Sequence, residues 1–227
     1  MTTVTTPIPF PIWIEQILQD KKLSGMGHAQ KPAQADLGLG WIYYGMARVL
    51  QPATVVVIGS YRGFVPLMMG RALADNGGTG RVLFIDPSLV DGFWREPAAV
   101  QAHFEKFGLT NIEHHAMTTQ DFVQSETYRA LTEVGLVFID GHHSYELARL
   151  DYEAFAPLVS PKGALLFHDS IRVRFSRFYG ADKAYEHRVC ELMAELRRDL
   201  RWQVFDLPFG DGVTLVRRAG NPEALFA

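Results

Sequence analysis

The strongest constraint on the fold is a regular alternation between short apolar runs and helical patterns. Five runs are too short for ordinary helices and rich in strand-forming residues: TVVVIG (54–59), RVLFID (81–86), NIEHHA (111–116), LVFID (136–140) and GALLFHD (163–169). Helical patterns lie between them at about 65–77, 97–108, 118–131 and 144–159. Because consecutive parallel strands need such crossovers, the sequence predicts an α/β fold with a doubly wound, mostly parallel sheet.

The two ends of the chain extend this pattern. A helix is predicted at about 184–200, followed by strands at 202–208 and 212–218. The turn FGDG between them is too short for a helical crossover, so the last strand of a seven-stranded sheet is expected to be antiparallel. Before the first strand, the sequence predicts an irregular arm at 1–12, a helix at 12–22, a polar loop at 24–38 and a helix at 37–50. We therefore divide the chain into an N-terminal arm with helices at 1–50, expected to form a lid or a dimer contact, and a main domain at 51–227.

Composition is that of an ordinary soluble protein. The apolar fraction is 48% and the formal net charge is -3, which gives no electrostatic reason to expect a nucleic acid or an anionic membrane as partner. The single cysteine, Cys190, excludes a disulfide within this chain and a cysteine-rich zinc site. No apolar run reaches the ~18 residues of a membrane span, and the first residues lack the pattern of a secretion signal. We expect a cytoplasmic protein that binds neither nucleic acid nor membrane.

Glycines and an acid lie where the first two predicted strands end, which is where open α/β sheets bind ligands. Gly59 and Gly63 bracket the turn after the first strand, and glycine lets the backbone approach a ligand closely. Asp86 ends the second strand, where an acid can accept hydrogen bonds from ribose hydroxyls. The structural alternatives are a tight strand-to-helix turn for the glycines and an Asp-Pro turn for Asp86, which precedes Pro87.

Two further strand ends carry a candidate metal site. Asp140 follows the fourth strand, and His168 and Asp169 follow the fifth. Carboxylates that converge repel each other unless a cation or a proton lies between them. Oxygen ligands suit Mg²⁺, whereas a histidine-rich set that includes His142 and His143 suits iron or zinc, so the residues leave the metal open. The structural alternative is a helix cap at Asp140 and a salt bridge at Asp169.

A general base is predicted in the same stretch. His143 has the side chain whose ordinary pKa, near ~6.5, best matches proton transfer at neutral pH. Its competitor is the adjacent His142. Glu146, in the first turn of the following helix, is explained by a favourable interaction with the helix dipole.

Two motifs carry a resemblance to a known family. They are DGHHSYE (140–146) and the stretch DYEAFAPLVSPKGALLFHDS (151–170), which ends in HDS. The sequence over about 50–218 resembles the Rossmann-like, class I S-adenosylmethionine-dependent methyltransferases. Within them it is most similar to a subfamily with a DGxHSYE motif followed by HD, an arrangement shared by catechol-type and macrolide sugar O-methyltransferases.

The resemblance implies a function and a site. Cofactor contacts are expected at Gly59, Ser60, Gly63, Asp86, Pro87, Thr119, Gln120 and Asp140, and metal ligands at Asp140, His168 and Asp169. The implied reaction is a methyl transfer from S-adenosylmethionine to a hydroxyl of a small molecule, assisted by Mg²⁺ or another divalent metal. In this reaction His143 would be the general base. Val57 stands where such enzymes usually carry an acid, so the cofactor's ammonium must find its partner elsewhere or lack one.

The residues that select the methyl acceptor are less clearly marked. We expect acceptor contacts at His142, Arg172 and Trp41. Basic residues around Arg172 could grip a carboxylate or phosphate, or could form a solvated face. Aromatic residues of the N-terminal helices could form a lid, and ordinary helix packing explains them equally well. These residues are Phe10, Trp13, Trp41 and Tyr44. A homodimer is possible whether these aromatic residues form a lid or pack within the helices.

Three other functions compete with this one. The first is a metal-independent methyltransferase, in which proximity and His143 suffice. The second is a nicotinamide-dependent oxidoreductase, which is disfavoured because the first loop reads G-x-x-x-G instead of G-x-G-x-x-G. The third is a cofactor-binding module without turnover, which Val57 alone favours.

Overall fold

The structure is a computed structural model that describes residues 8–25 and 27–220. In this part of the chain the strands are β1 (Thr54–Ile58), β2 (Arg81–Ile85), β3 (Ile112–His115), β4 (Val134–Ile139), β5 (Val159–His168), β6 (Arg174–Ser176), β7 (Tyr185–His187), β8 (Trp202–Leu207) and β9 (Val213–Arg218). The α-helices are α1 (Phe10–Gln19), α2 (Gly40–Leu50), α3 (Phe64–Asp75), α4 (Pro97–Glu105), α5 (Thr119–Phe122), α6 (Glu126–Arg129), α7 (Tyr145–Phe155) and α8 (Val189–Leu196).

A seven-stranded sheet organises the molecule in the order β3-β2-β1-β4-β5-β9-β8. Strands β1 to β5 pair in parallel, and β9 is antiparallel to both β5 and β8. This confirms the predicted Rossmann-like, mostly parallel sheet with an antiparallel last strand. The strand order reverses between β1 and β4, and ligands of such sheets bind in the crevice at this reversal.

The core has two layers, one on each face of the sheet. In β1, Val55 and Val57 pack toward the N-terminal helices, α3 and α4, whereas Val56 and Ile58 pack toward α7 and α8. Central parallel strands are apolar on both faces because helices cover both sides. Trp13 of α1 is fully buried in the first layer, so the N-terminal helices share the core of the sheet.

Two predicted helices differ from the structure. The helix expected at 118–131 consists of two short helices, because the Ser125 hydroxyl accepts a hydrogen bond from the Tyr128 N–H and so begins a new helix. The helix expected at 184–200 begins only at Val189. The residues before it form β7, which pairs with β6 in a separate two-stranded sheet. Strands of three residues are too short to show a periodic pattern.

The ends of the chain are described only in part. The predicted irregular arm at 1–12 falls largely outside the described residues, and Phe10 already begins α1. The last residues of the predicted main domain, 221–227, also lie outside them. In the described ranges, no helix combines the length and the apolar character needed to cross a membrane.

Candidate functional site

A cavity of about 770 Å³ lies over the carboxyl ends of β1, β2, β4 and β5. It brings together most of the residues predicted for the site: Gly59, Ser60, Asp86, Pro87, Thr119, Gln120, Asp140, His142, His143, His168 and Asp169. The lining does not include Gly63, Arg172 or Trp41. The parallel topology explains this convergence, since it places the carboxyl ends of all four strands at one edge of the sheet.

The glycine loop after β1 holds two strand ends close together. Gly59 has a φ of 69°, and a Cβ atom there would lie 2.4 Å from the backbone oxygen of Asp140. Any larger residue would therefore push the end of β4 away from the end of β1. Gly63 has a different role, because a Cβ there would lie 3.0 Å from the ring of Trp94. It allows α3 to begin against that indole. Trp94 lines the cavity, although the sequence did not predict it as a cofactor contact.

Asp86 lines the cavity and forms the expected turn. One carboxylate oxygen accepts a hydrogen bond from the Ser88 N–H at 2.7 Å, which is the turn expected before Pro87. The other accepts from the Ser60 N–H at 3.3 Å, in the glycine loop. Burial raises the pKa of Asp86, and these backbone hydrogen bonds oppose the rise. The carboxylate thus lines the cavity while it fastens the end of β2 to the loop after β1.

The predicted adenine contacts lie at the start of α5, where a buried acid joins them. Thr119 and Gln120 line the cavity together with Asp151 of α7. Asp151 is almost fully buried, and burial raises its pKa to about 7. The sequence could have pointed to Asp151, because it is an acid on the buried face of α7 that it shares with the apolar residues Ala148 and Phe155.

The opposite side of the cavity carries a dense group that we call the His–Asp cluster: His28, Asp140, His143, His168, Asp169 and His187. Four of these residues were predicted from the strand ends. His28 and His187 were missed, because His28 lies in the loop between α1 and α2 and His187 in the short strand β7. Neither segment has a periodic pattern that could have pointed to the site.

The first half of the His–Asp cluster contains His28, Asp140 and His168. His168 Nδ1 lies 2.9 Å from Asp140 Oδ1, and His28 Nε2 lies 4.0 Å from Asp140 Oδ2. The short contact is not aligned as a hydrogen bond, and His168 Nδ1 has no hydrogen-bond partner although its residue is only 5% exposed. His28 Nδ1 lies 3.1 Å from the buried hydroxyl of Tyr43.

The second half contains His143, Asp169 and His187. His143 Nε2 lies 3.8 Å from Asp169 Oδ2 and 3.5 Å from the shared Asp140 Oδ1, and its ring stacks on His187 at 4.3 Å. Asp169 forms an ion pair with Arg174 and lies 3.2 Å from His187 Nδ1. Burial opposes the ionisation of Asp169, but His187 and the surrounding positive charges lower its pKa well below the usual range.

The histidines of this cluster differ in protonation. Burial lowers the pKa of His28 and of His143 to about 3, so both imidazoles are neutral at neutral pH. Burial also acts against the charged form of His168, but the adjacent Asp140 outweighs it and raises the pKa of His168 to about 9. The cavity therefore combines a neutral imidazole at His143 with a charged one at His168.

The His–Asp cluster contains two groups of donors close enough to hold a cation, and the predicted ligands Asp140, His168 and Asp169 are divided between them. The atoms that His28, Asp140 and His168 can offer lie within 4.8 Å of one another, and the same holds for His143, Asp169 and His187. Nδ1 of His168 is buried and unpartnered, and a cation bound there would replace the proton that Asp140 favours on this imidazole. Asp169, the third predicted ligand, already has its charge balanced by Arg174.

The predicted acceptor contacts separate into two groups. His142 lines the cavity, and its ring stacks on Tyr185 at 3.9 Å and on Tyr179 at 5.6 Å. Trp41 is 42% exposed and donates a hydrogen bond from its indole N–H to Asp36, outside the cavity. Arg172 also lies outside, and its basic neighbours Arg174 and Lys183 line the cavity instead. Arg172 is exposed and forms an ion pair with Asp211.

The N-terminal aromatic residues and Val57 belong to the packing of the core. Phe10 contacts Trp13, Trp41 and Tyr44 through its ring, and none of these four residues lines the cavity. This favours helix packing over an aromatic lid. Val57 is fully buried in the core layer of α3 and is likewise absent from the cavity lining.

Comparisons with known proteins agree with this geometry. The methyltransferase domain family matches residues 56–170. A curated relative, the uncharacterized protein y4gI of Sinorhizobium fredii, is 24% identical over 140 residues, which are 57% of this chain and 15% of that protein. The chain therefore matches only a small part of that relative's length.

Two solved structures have a similar fold. An O-methyltransferase from Bacillus cereus in complex with S-adenosylhomocysteine (SAH) has a TM-score of 0.67 at 16% identity, covering 93% of this chain and 93% of that one. The O-methyltransferase TomG from Streptomyces achromogenes, involved in tomaymycin synthesis and bound to S-adenosylmethionine, has a TM-score of 0.62 at 15% identity. That alignment covers 96% of this chain and 93% of TomG.

Proposed function

The chain belongs to the methyltransferase domain family, and from this premise we propose that it transfers the methyl group of S-adenosylmethionine to a hydroxyl of a small molecule. The observation that carries the proposal is the pairing of two different walls in one cavity. The wall at β1 and β2 has the glycine loop and Asp86, and the wall at β4 and β5 has the neutral His143 beside two carboxylates. The bound ligands of the two O-methyltransferases of similar fold support the same cofactor.

The cofactor side of the proposal rests on backbone approach and on one acid. Gly59 and Ser60 would border the methionine part, Asp86 with Pro87 the ribose, and Thr119 with Gln120 the adenine. When bound, S-adenosylmethionine supplies a methyl group that is open to attack because it is attached to a sulfonium. Holding the acceptor oxygen in line with that methyl group supplies much of the acceleration, since the two reactants no longer have to meet by diffusion.

The chemical role falls to His143. Because burial keeps its imidazole neutral, Nε2 is free to accept the proton of an acceptor hydroxyl. Asp140 and Asp169, at 3.5 and 3.8 Å from that nitrogen, stabilise the imidazolium that results. A divalent cation held by Asp140 and His168 would supply a Lewis acid that lowers the pKa of the hydroxyl. His142, stacked on Tyr185, offers a flat surface for the acceptor.

A metal-independent methyltransferase is the second candidate, and one observation favours it. His168 lies 2.9 Å from Asp140 and 3.4 Å from Asp169, so a protonated His168 balances the two carboxylates without a metal. Full turnover after exhaustive treatment with a chelator would support this candidate. Loss of turnover that is restored by a divalent ion would support the metal-assisted reaction.

The experiment that tests the proposal is a calorimetric titration of S-adenosylmethionine into the purified protein, followed by an assay for SAH. We expect saturable binding of one cofactor per chain, and SAH formation when hydroxylated small molecules are added in turn. A chain that binds no cofactor at millimolar concentration would contradict the proposal. Binding without SAH formation from any hydroxyl, amine or thiol acceptor would favour the module without turnover.

A further inference from the structure

We propose that His28, Asp140 and His168 form a binding site for a nitrogen-preferring divalent transition metal, of the class of Zn²⁺, Co²⁺ or Fe²⁺. His28 replaces Asp169 in the ligand set that the sequence predicts, and the transition ion replaces Mg²⁺. The inference goes beyond methyl transfer, because metal binding is measurable without turnover. Its failure would leave the proposed methyl transfer standing.

The distances fit a shared ion. Two atoms that each lie about 2.1 Å from one metal are about 3 Å apart when their bonds make a right angle, as in five- or six-coordinate ions, and about 3.4 Å apart at a tetrahedral angle. His168 Nδ1 and Asp140 Oδ1 are 2.9 Å apart and yet not aligned as a hydrogen bond. Side chains that bind the same ion face the ion instead of each other, which is the geometry seen here. His28 Nε2 completes the set at 4.0 Å from the second oxygen of Asp140.

The orientation of His28 is fixed by its surroundings. Its Nδ1 lies 3.1 Å from the hydroxyl of Tyr43, and its ring stacks on Phe64 at 5.0 Å. A ligating histidine usually donates its second ring N–H to another group, which fixes the tautomer and the direction of the lone pair. Here the Tyr43 hydroxyl can accept that N–H, which leaves a free lone pair on Nε2, the nitrogen 4.0 Å from Asp140.

The donor chemistry disfavours Mg²⁺. Mg²⁺ prefers carboxylates and waters, and it requires near-octahedral oxygen coordination. Once His168 releases its proton to solvent on metal binding, the site offers two imidazole nitrogens and the carboxylate of Asp140, a set typical of iron and zinc. The second carboxylate that Mg²⁺ would need is that of Asp169, which is held in an ion pair by Arg174.

The site also links two regions of the chain that the sequence separates. Asp140 and His168 end neighbouring strands of the sheet, whereas His28 comes from the loop between α1 and α2. A metal bound by all three would tie this loop to the sheet. Metal binding should therefore stabilise the folded chain as well as complete the cavity wall.

The test is a titration of the untagged, chelator-treated full chain with Co²⁺, followed by its visible ligand-field absorption. We expect one equivalent of Co²⁺ to bind, Zn²⁺ to displace it, and a large excess of Mg²⁺ to leave it in place. His28→Gln should weaken Co²⁺ binding at least tenfold. The matched control is His103→Gln, a partly buried histidine outside the cavity, which should keep the affinity of the original chain.

A second variant distinguishes loss of the metal ligand from misfolding of His28→Gln. Tyr43→Phe removes only the hydroxyl that holds His28 and should weaken Co²⁺ binding several-fold, with an unchanged circular dichroism spectrum. Equal Co²⁺ affinity in His28→Gln and in the original chain would overturn the proposal, as would absence of Co²⁺ binding or a preference for Mg²⁺. Binding lost only in His187→Gln would place the ion in the other half of the His–Asp cluster and overturn the assignment.

Discussion

The two walls of the cavity are built by different means. At the ends of β1 and β2 the backbone is fixed by the close approach of Gly59 to Asp140 and by hydrogen bonds to the Asp86 carboxylate. At the ends of β4 and β5 the wall consists of side chains whose charges depend on one another. In the proposed function, the first wall would hold the cofactor by shape and hydrogen bonds, whereas the second wall would move the proton. Substitutions on the two walls should therefore affect binding and turnover separately.

The largest expected effect is on turnover, at the second wall. His143→Ala removes the proposed base and should lower kcat by about 10²–10⁴-fold, the usual contribution of general base catalysis. The dissociation constant of S-adenosylmethionine should change less than about twofold, because the imidazole does not belong to the first wall. Steady-state kinetics with calorimetry of cofactor binding measures both quantities.

A neighbouring histidine provides the control for that result. His142→Ala leaves the base in place and removes the ring that stacks on Tyr185, so it should act mainly on the KM of the acceptor. Equal losses of kcat in the two variants would argue against His143 as the base. Parallel losses of kcat and cofactor affinity in His143→Ala would show that the two walls are not separable.

The next effect is on stability, through the buried acid near the first wall. Asp151 has a pKa of about 7 in the folded chain, against 3.8 as its ordinary value. Between these pH values the unfolded chain releases the proton and the folded chain keeps it, so the free energy of unfolding falls as pH rises. At about 1.4 kcal/mol per pKa unit, the loss is on the order of a few kcal/mol above pH 7.

Asp151→Asn tests this pH dependence. The amide resembles the protonated acid, so the stability of the variant relative to the original chain should be about 2–3 kcal/mol more favourable at pH 8 than at pH 5. Urea unfolding at both pH values measures the difference. Glu153→Gln, an exposed acid on the same helix, is the control and should change neither value by more than about 0.5 kcal/mol. An unchanged pH dependence in Asp151→Asn would contradict the assignment of the shift to this residue.

A smaller effect is expected on cofactor binding, at the first wall. Asp86→Ala removes the charged acceptor proposed for the ribose, and hydrogen bonds to charged groups contribute about 1.5–3 kcal/mol. The dissociation constant of S-adenosylmethionine should rise about 10- to 100-fold, while kcat at saturating cofactor stays close to its original value. Glu133→Ala, an exposed acid away from the cavity, is the control. A large fall in kcat with unchanged cofactor affinity would reverse the roles of the two walls.

The smallest effect belongs to a residue that the structure places on neither wall. Trp41→Ala should change cofactor affinity, kcat and the KM of the acceptor by less than about twofold, because the indole lies outside the cavity and contacts Asp36. The same kinetic assays measure these quantities. A tenfold rise in KM would contradict this and show that the N-terminal helices contact the acceptor during turnover.

Much of the first wall could be predicted from the sequence. Runs such as TVVVIG and RVLFID identify strands by themselves, and a Gly or Asp at their ends points to the edge where ligands bind. The positions of Gly59 and Asp86 then follow from the parallel topology. The local role of Gly63 does not follow, because it depends on Trp94, which lies on another segment.

The second wall could be predicted only in part. Asp140, His143, His168 and Asp169 follow strands and were found, whereas His28 and His187 come from a loop and a three-residue strand. The sequence also predicted that Arg172 lies near an acceptor. Its side chain is exposed and paired with Asp211, and the cluster of basic residues around it in the sequence does not indicate either feature. Contacts between distant segments have no local pattern that could be recognised.

The sequence by itself determined the alternation of strands and helices, the direction of the strands and the edge of the sheet at which acids and histidines collect. These features follow from local periodicity and from the chirality of the crossovers. The tertiary structure decided which imidazoles meet, which of them is charged, and which acid is already paired with an arginine. Those outcomes depend on burial and on distances of a few ångströms between residues far apart in the chain, and the electrostatic interactions involved change steeply over such distances.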